Sequence, residues 1–225
     1  KMTISRGGET IELAVKRKMV ETPAVEAQIL ESGIALITIY NFNERCAQES
    51  IAAVEDLIGQ GADALIFDVR GNPGGYKDEM VQILDYLLPE GDLFRSVDYR
   101  GKETVDTSDA NCVQLPMAVL INGNTYSAAE FFAAALREYD AAVIIGEQTV
   151  GKGYFQTTYS LSDGSAVALS IGKYYTPKGV NLSEVGGLTP DVLLEMEDET
   201  AAALYYSALP REEDPHIRAA IEKLT

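Results

Sequence analysis

Histidine is almost missing from this chain of 225 residues: His216 is the only one. That leaves no set of ligands for a zinc site built on histidines. It also removes the base of a Ser-His-Asp triad, unless His216 folds back from the tail. Its neighbours in D-P-H-I-R are charged and read as the solvated start of a C-terminal helix. Cysteine is nearly as scarce. Cys46 and Cys112 share no motif spacing with each other or with a histidine, so they read as two isolated thiols. Positive charge is short as well: 18 basic against 35 acidic residues give a net charge of −17. Such a surface repels polyanions and anionic lipid, which argues against nucleic acid or a membrane surface as partner. No run of 18 apolar residues exists to span a membrane. No apolar stretch follows Lys1-Met2-Thr3-Ile4-Ser5, so the start is not a signal peptide, and any export signal would lie upstream.

What is present is an ordinary globular mix, 46% apolar and 24% charged, long enough for a sizeable core. Residues 9–17 alternate, with Ile11, Leu13 and Val15 on one face of an expected half-buried strand. Two strands follow, 25–31 and 33–40, joined by a tight turn at 31–33. A helix opens at Asn43 or Glu44, carries Ile51, Val54, Leu57 and Ile58, and stops at Gly59-Gln60-Gly61. Residues 64–70, A-L-I-F-D-V-R, form an unbroken apolar run of the kind buried on both faces. The turn G-N-P-G-G leads into a helix over 77–88. Then come a strand near 93–99, a polar loop to Leu115, a second buried strand at 117–122, an alanine-rich helix over 127–139 and the strand A-A-V-I-I-G. The order β-α-β-α-β with buried strands predicts a mostly parallel sheet flanked by helices. Past Gly153, 154–161 and 165–175 read as a hairpin around Ser162-Asp163-Gly164, and the tail from about Asp198 is helical and acidic.

Lys152, framed by glycines in G-E-Q-T-V-G-K-G-Y-F-Q, admits three readings. A phosphate-binding loop needs Ser or Thr after the lysine and a helix starting there. Gly153 stands in that position, and a β-rich stretch follows. Ser170-Ile171-Gly172-Lys173 fits an S-x-x-K pattern, but on a strand positions i and i+3 point to opposite faces. The third reading pairs Lys152 with a serine elsewhere. A serine hydroxyl needs a base, and without histidine a lysine serves if burial among apolar groups disfavours its charge. Ser127, in N-G-N-T-Y-S-A-A-E, follows a buried strand and opens a helix. Free backbone N–H groups there can stabilise an oxyanion, and Ala128 and Ala129 leave room for a substrate. An ordinary helix cap is the alternative for the same serine.

Ser127-Ala128-Ala129-Glu130 followed by Gly146-Glu147-x-x-x-Gly151-Lys152-Gly153-x-x-Gln156 resembles the tail-specific, C-terminal processing serine proteases. D-V-R-G-N-P-G-G (68–75), the stretch 161–179 ending in Y-x-T-P, and G-G-L-T-P-D-V (186–192) are similar to further motifs of that family, in the same order. The likeness covers roughly 22–195. It implies a Ser-Lys peptidase with a crotonase/ClpP-like α/β core and no metal or cofactor. Ser127 would be nucleophile, Lys152 general base, and Gln156 the residue that orients the lysine. The backbone N–H groups of Gly75 and Ala128 would form the oxyanion hole. Asp68, Arg70 and Glu130 are either supports for the site or simple ion pairs. The resemblance also implies protein or peptide substrates with apolar C-termini and an extracytoplasmic location. Residues 1–21 resemble the last strands of a PDZ domain, so they are expected to be its remnant before a core over 22–225, with a helical tail from about 197. A catalytically silent peptide-binding scaffold and acyl-CoA chemistry on the same core are the rival readings.

Overall fold

A computed structural model describes residues 1–18, 22–30, 32–206 and 208–225. Strands β1 (Met2–Arg6) and β2 (Glu9–Leu13) pair antiparallel as a separate hairpin. Strands β3 (Val25–Ile29) and β4 (Ala35–Ile39) follow, then α1 (Cys46–Gly59), β5 (Leu65–Asp68) and α2 (Lys77–Leu87). Next come β6 (Gly91–Asp98), β7 (Glu103–Ser108), β8 (Met117–Ile121), α3 (Ala128–Glu138) and β9 (Ala142–Gly146). The hairpin β10 (Tyr154–Ser160) and β11 (Ala166–Tyr175) leads to the short α4 (Leu182–Val185) and β12 (Val192–Leu193). Two helices, α5 (Asp198–Tyr205) and α6 (Pro215–Leu224), close the chain.

The principal sheet has the order β12-β9-β8-β5-β4-β3. All neighbours in it run parallel except β3 with β4. Its strands are apolar on both faces because both faces are covered. Ile37, Leu65, Phe67, Val119 and Ile144 point to a core shared with α1, α2 and α3. Their alternates Leu36, Ile66, Ala118, Leu120 and Ile145 point the other way, onto Ile217 and Ala220 of α6. Each such aliphatic side chain contributes about 1.5–3 kcal/mol on full burial. The second sheet, β10-β11-β6-β7, is antiparallel throughout. Helix α3 is buried from Ala128 to Leu136 because it lies between the two sheets. Phe132 packs on Phe42 and Phe67, while Phe131 packs on Phe94 and Tyr174 of the antiparallel sheet.

The mixed α/β class agrees with the sequence reading, and four details differ. Residues 9–17 are not a half-buried strand: β2 ends at Leu13, and Leu13 and Val15 are exposed because no described element covers that hairpin. Strand β6 does not join the parallel sheet but pairs with β7 and β11. The polar loop contains β7, whose E-T-V-D-T-S carries too little apolar signal to announce a strand. His216 is fully buried, not solvated. Asp214 caps α6, and its partner Arg70 lies 144 residues away in sequence. The turn expected at 31–33 falls partly outside the described residues.

Candidate active site

Strands β5, β8 and β9 are parallel neighbours, in register from Asp68↔Leu120 to Ile121↔Gly146. Their C-terminal ends therefore lie side by side. The segments leaving those ends carry Gly75, Ser127 and Lys152 respectively. Ligand and active sites of open parallel sheets form outside these same strand ends.

Ser127 sits at the strand-to-helix turn before α3 with φ 57° and ψ −123°. A non-glycine residue at positive φ costs roughly 1–3 kcal/mol and persists only where the surroundings impose it. A sharp turn of this kind presents a serine Oγ outward at the top of a sheet. The imposing group is Glu130, which is fully buried. Its Oε2 accepts from the Ser127 amide at 2.7 Å and from the Lys152 amide at 3.0 Å. Its Oε1 accepts from the Thr149 hydroxyl at 2.5 Å and from the Gly151 amide at 2.6 Å. One side chain thus ties the serine turn to the lysine loop. The Lys152 Nζ lies 4.9 Å from the centroid of the Tyr126 ring, and it pairs with no carboxylate among the described residues.

The lysine loop is braced from a second side. Asn181, buried, donates to the carbonyls of Gly153 at 2.9 Å and Tyr174 at 2.7 Å. A Cβ on Gly153 would come within 2.4 Å of that side chain. Sequence reasoning passed over Asn181, which stands in an unremarked loop after the Y-x-T-P motif. The chain after Lys152 enters β10 directly, so the helix a phosphate loop requires is absent there. Ser170 and Lys173 lie within β11, with the Lys173 Nζ on Glu184 at 2.7 Å.

The glycine turn abuts the serine. A Cβ on Gly74 would meet the Ser127 Cβ at 2.8 Å and the Ala128 nitrogen at 2.9 Å. Asn72 holds the turn: its Oδ1 accepts from Gly74 N at 2.8 Å, and its carbonyl accepts from Tyr126 N at 3.0 Å. Among the described residues the N–H groups of Gly75 and Ala128 donate to no acceptor in the protein. Such a pair of amides beside a serine can receive a developing oxyanion.

Not every expected residue converges here. Gln156 is exposed on β10, where its backbone pairs with Ser170, and its side chain hydrogen-bonds no described residue. Asp68 and Arg70 form no hydrogen bond or ion pair with Ser127 or Lys152. Arg70 bridges Asp68 at 2.6 Å and Asp214 at 2.8 Å, and approaches His216 Nδ1 at 3.4 Å. Burial opposes the Arg70 charge, and the two carboxylates outweigh it, so its pKa is held above the ordinary guanidinium range. The His216 Nε2 donates to the Leu194 carbonyl at 2.7 Å. This cluster fastens α6 to the end of β5.

A strained serine turn, two unclaimed amides and a lysine tethered to the same buried carboxylate make an arrangement fit for hydrolytic acyl transfer. Residues 33–194 match peptidase family S41, and the chain belongs to that family. The carboxy-terminal processing protease CtpA of Bacillus subtilis is 34% identical over 201 residues, 88% of this chain and 43% of that protein. The chloroplastic carboxyl-terminal-processing peptidase 2 of Arabidopsis thaliana is 34% identical over 84% of this chain and 39% of its own length. Among solved structures, the photosystem II D1 C-terminal processing protease superposes with a TM-score of 0.70 at 31% identity, covering 83% of this chain and 52% of that one. The chain thus spans about half the length, or less, of the relatives it matches. No helix among the described residues is long and apolar enough to cross a membrane.

Proposed function

We propose that the protein is a serine endopeptidase that cleaves polypeptides near their C-termini through Ser127 and Lys152. The observation that carries this reading is the shared hydrogen bonding of the Ser127 and Lys152 amides to one Glu130 oxygen. Lys152, as the free amine, takes the Ser127 Oγ proton while Oγ attacks the peptide carbonyl. The oxyanion is received by the Gly75 and Ala128 N–H groups. The tetrahedral intermediate collapses, Lys152 returns the proton to the leaving amine, and a serine ester remains. Water, deprotonated by Lys152, then releases the acyl group. Gln156, four residues beyond the base, would orient the amine in the substrate-bound state. Glu130 acts as a positioning residue, and Asp68 and Arg70 support the glycine turn from beneath.

The crotonase-like description of the core is supported by the parallel sheet with its site at the strand ends. The β1–β2 hairpin, separate from both larger sheets, supports reading 1–21 as a PDZ remnant. The relatives' names support protein substrates handled near the C-terminus, and the family supports an extracytoplasmic location. The test is hydrolysis of a quenched fluorescent peptide with an apolar C-terminus. Wild type should cleave it, and Ser127→Ala and Lys152→Ala should lose the activity while keeping wild-type melting behaviour. Equal cleavage by all three would remove the proposal. Turnover of a coenzyme A thioester without peptide cleavage would instead favour acyl-CoA chemistry on this core.

A further inference from the structure

A cavity of about 310 Å³ opens between the start of α2 and the antiparallel sheet, lined by Tyr76, Lys77, Asp78, Ser96, Phe155 and Tyr174. Its position follows from the chain. Tyr76 directly succeeds Gly75, and Phe155 comes three residues after Lys152. With about 3.8 Å between successive Cα atoms, Tyr76 lies one residue from the proposed oxyanion amide and Phe155 at most about 11 Å along the chain from the Lys152 Cα. The volume corresponds to about ten waters and falls at the small end of ligand pockets.

The lining has a definite chemistry. Phe155 stacks on Tyr174 with centroids 4.9 Å apart and planes 21° from parallel. Gly172 makes that possible, since a Cβ there would lie 2.2 Å from the Phe155 ring. Tyr174 and Ser96 are cross-strand partners and so share a face. Burial pushes the Tyr174 phenol up from its ordinary pKa, as expected of a dry wall. The one cation of the lining is already neutralised: the Lys77 Nζ reaches both Asp106 oxygens at 2.8 Å and Asp78 at 3.1 Å. Two carboxylates against one ammonium leave this rim net negative, which opposes an acidic side chain. Ser96, small and half-buried, leaves the floor open.

We infer that this cavity is a specificity pocket for the substrate residue that supplies the scissile carbonyl, and that it selects a large apolar side chain, aromatic above all. The inference rests on the Ser127–Lys152 reading. Gly75 would hold that carbonyl's oxygen, so the side chain of the same residue falls beside Tyr76. An apolar pocket discriminates by about 10–200-fold per methylene of fit. The pocket should therefore favour phenylalanine over alanine at this position by at least about tenfold in kcat/KM.

The experiment is a peptide series differing only at that residue: Ala, Leu, Phe, Glu and Lys. Wild type should rank Phe and Leu well above Ala, with Glu lowest. Ser96→Phe fills the floor and should abolish the gain for Phe while leaving the Ala peptide within about threefold of wild type. Tyr76→Ala, at an exposed position that cannot unfold the core, should lower the preference by opening one wall. If turnover is too slow to rank, the same side chains on peptidyl boronic acids, titrated by calorimetry, give the order as dissociation constants. A flat series, or one led by Ala, Glu or Lys, overturns the pocket. An unchanged preference in both variants does the same. A Ser127→Ala control separates the two readings. If it still cleaves, the nucleophile is wrong. If it is inert while the series is flat, only the pocket fails.

Discussion

Replacing Glu130 by glutamine tests the join between the two halves of the site with almost no change in volume. Four donors converge on this side chain: the amides of Ser127, Gly151 and Lys152 and the hydroxyl of Thr149. A glutamine has one oxygen to accept and an NH2 group that only donates. With its oxygen toward Ser127 and Lys152, the NH2 faces the Gly151 amide and the Thr149 hydroxyl. The hydroxyl can turn to accept, but the amide cannot. The opposite flip orphans the Ser127 and Lys152 amides instead. At least one buried N–H is left facing another donor, at about 1–3 kcal/mol. The surviving bonds lose their charge assistance, roughly 1 kcal/mol each. The total comes to about 3–5 kcal/mol. For a chain of this size that lowers Tm by about 10 °C. A misplacement of the lysine loop by about 1 Å costs on the order of 100-fold in rate. Calorimetry and peptide kinetics on Glu130→Gln should thus show both losses, with kcat carrying the kinetic one and KM nearly unchanged. A variant within 2 °C and threefold of wild type, by the same conversions, would refute the clamp.

Two further outcomes follow from the surroundings. Burial first, and the Arg70 charge second, hold the His216 imidazole below its ordinary value of 6.5. Below about pH 6.5 the unfolded chain therefore binds a proton that the folded one resists, so stability present above that pH is lost on acidification. The Tm difference between wild type and His216→Gln should shrink as pH falls from about 8 to 5, and a constant difference would contradict it. In the glycine turn, Gly75→Ala would drive a Cβ to 2.4 Å from the Phe42 carbonyl oxygen at φ +150°. Moving that amide should cut kcat/KM by about 10²–10³. Gly59→Ala, on α1 with open space around it, should leave activity unchanged.

The parallel half of the fold is legible because its physics is local. A-L-I-F-D-V-R and M-A-V-L-I-N are apolar on both faces, which only a doubly covered strand tolerates. The Ser127 and Lys152 candidates are legible because each stands where a buried strand gives way to glycine or small residues. The antiparallel sheet is half hidden. Strand β6 carries an apolar pattern that fits either sheet, and its partner is decided by β11, some 80 residues later. His216 is hidden for the same reason. Charge around D-P-H-I-R signals solvent only if its partners are solvent, and here Asp214 is paired across 144 residues. Glu130 carried a visible sign, three residues past a helix-opening serine in the capping-box spacing. That spacing announces one of its four bonds. The other three come from a loop that the sequence does not connect to it.

Those three bonds explain why a serine held at positive φ and a flexible lysine loop are found together. The Ser127 turn stores strain that a lone helix cap would relax, and the Thr149–Lys152 loop has glycine at Gly151 and Gly153 on either side of its lysine. Neither segment fixes its own geometry. A buried acceptor that needs donors from both can be satisfied only when both are in place, so each segment is held by the requirements of the other. Asn181 repeats the device from the far side of the loop, through the Gly153 carbonyl. The consequence is cooperative: loosening either anchor, the Glu130 acceptor or the Asn181 donor, frees the whole loop, so Glu130→Gln and Asn181→Ala combined should cost less than the sum of the two single losses.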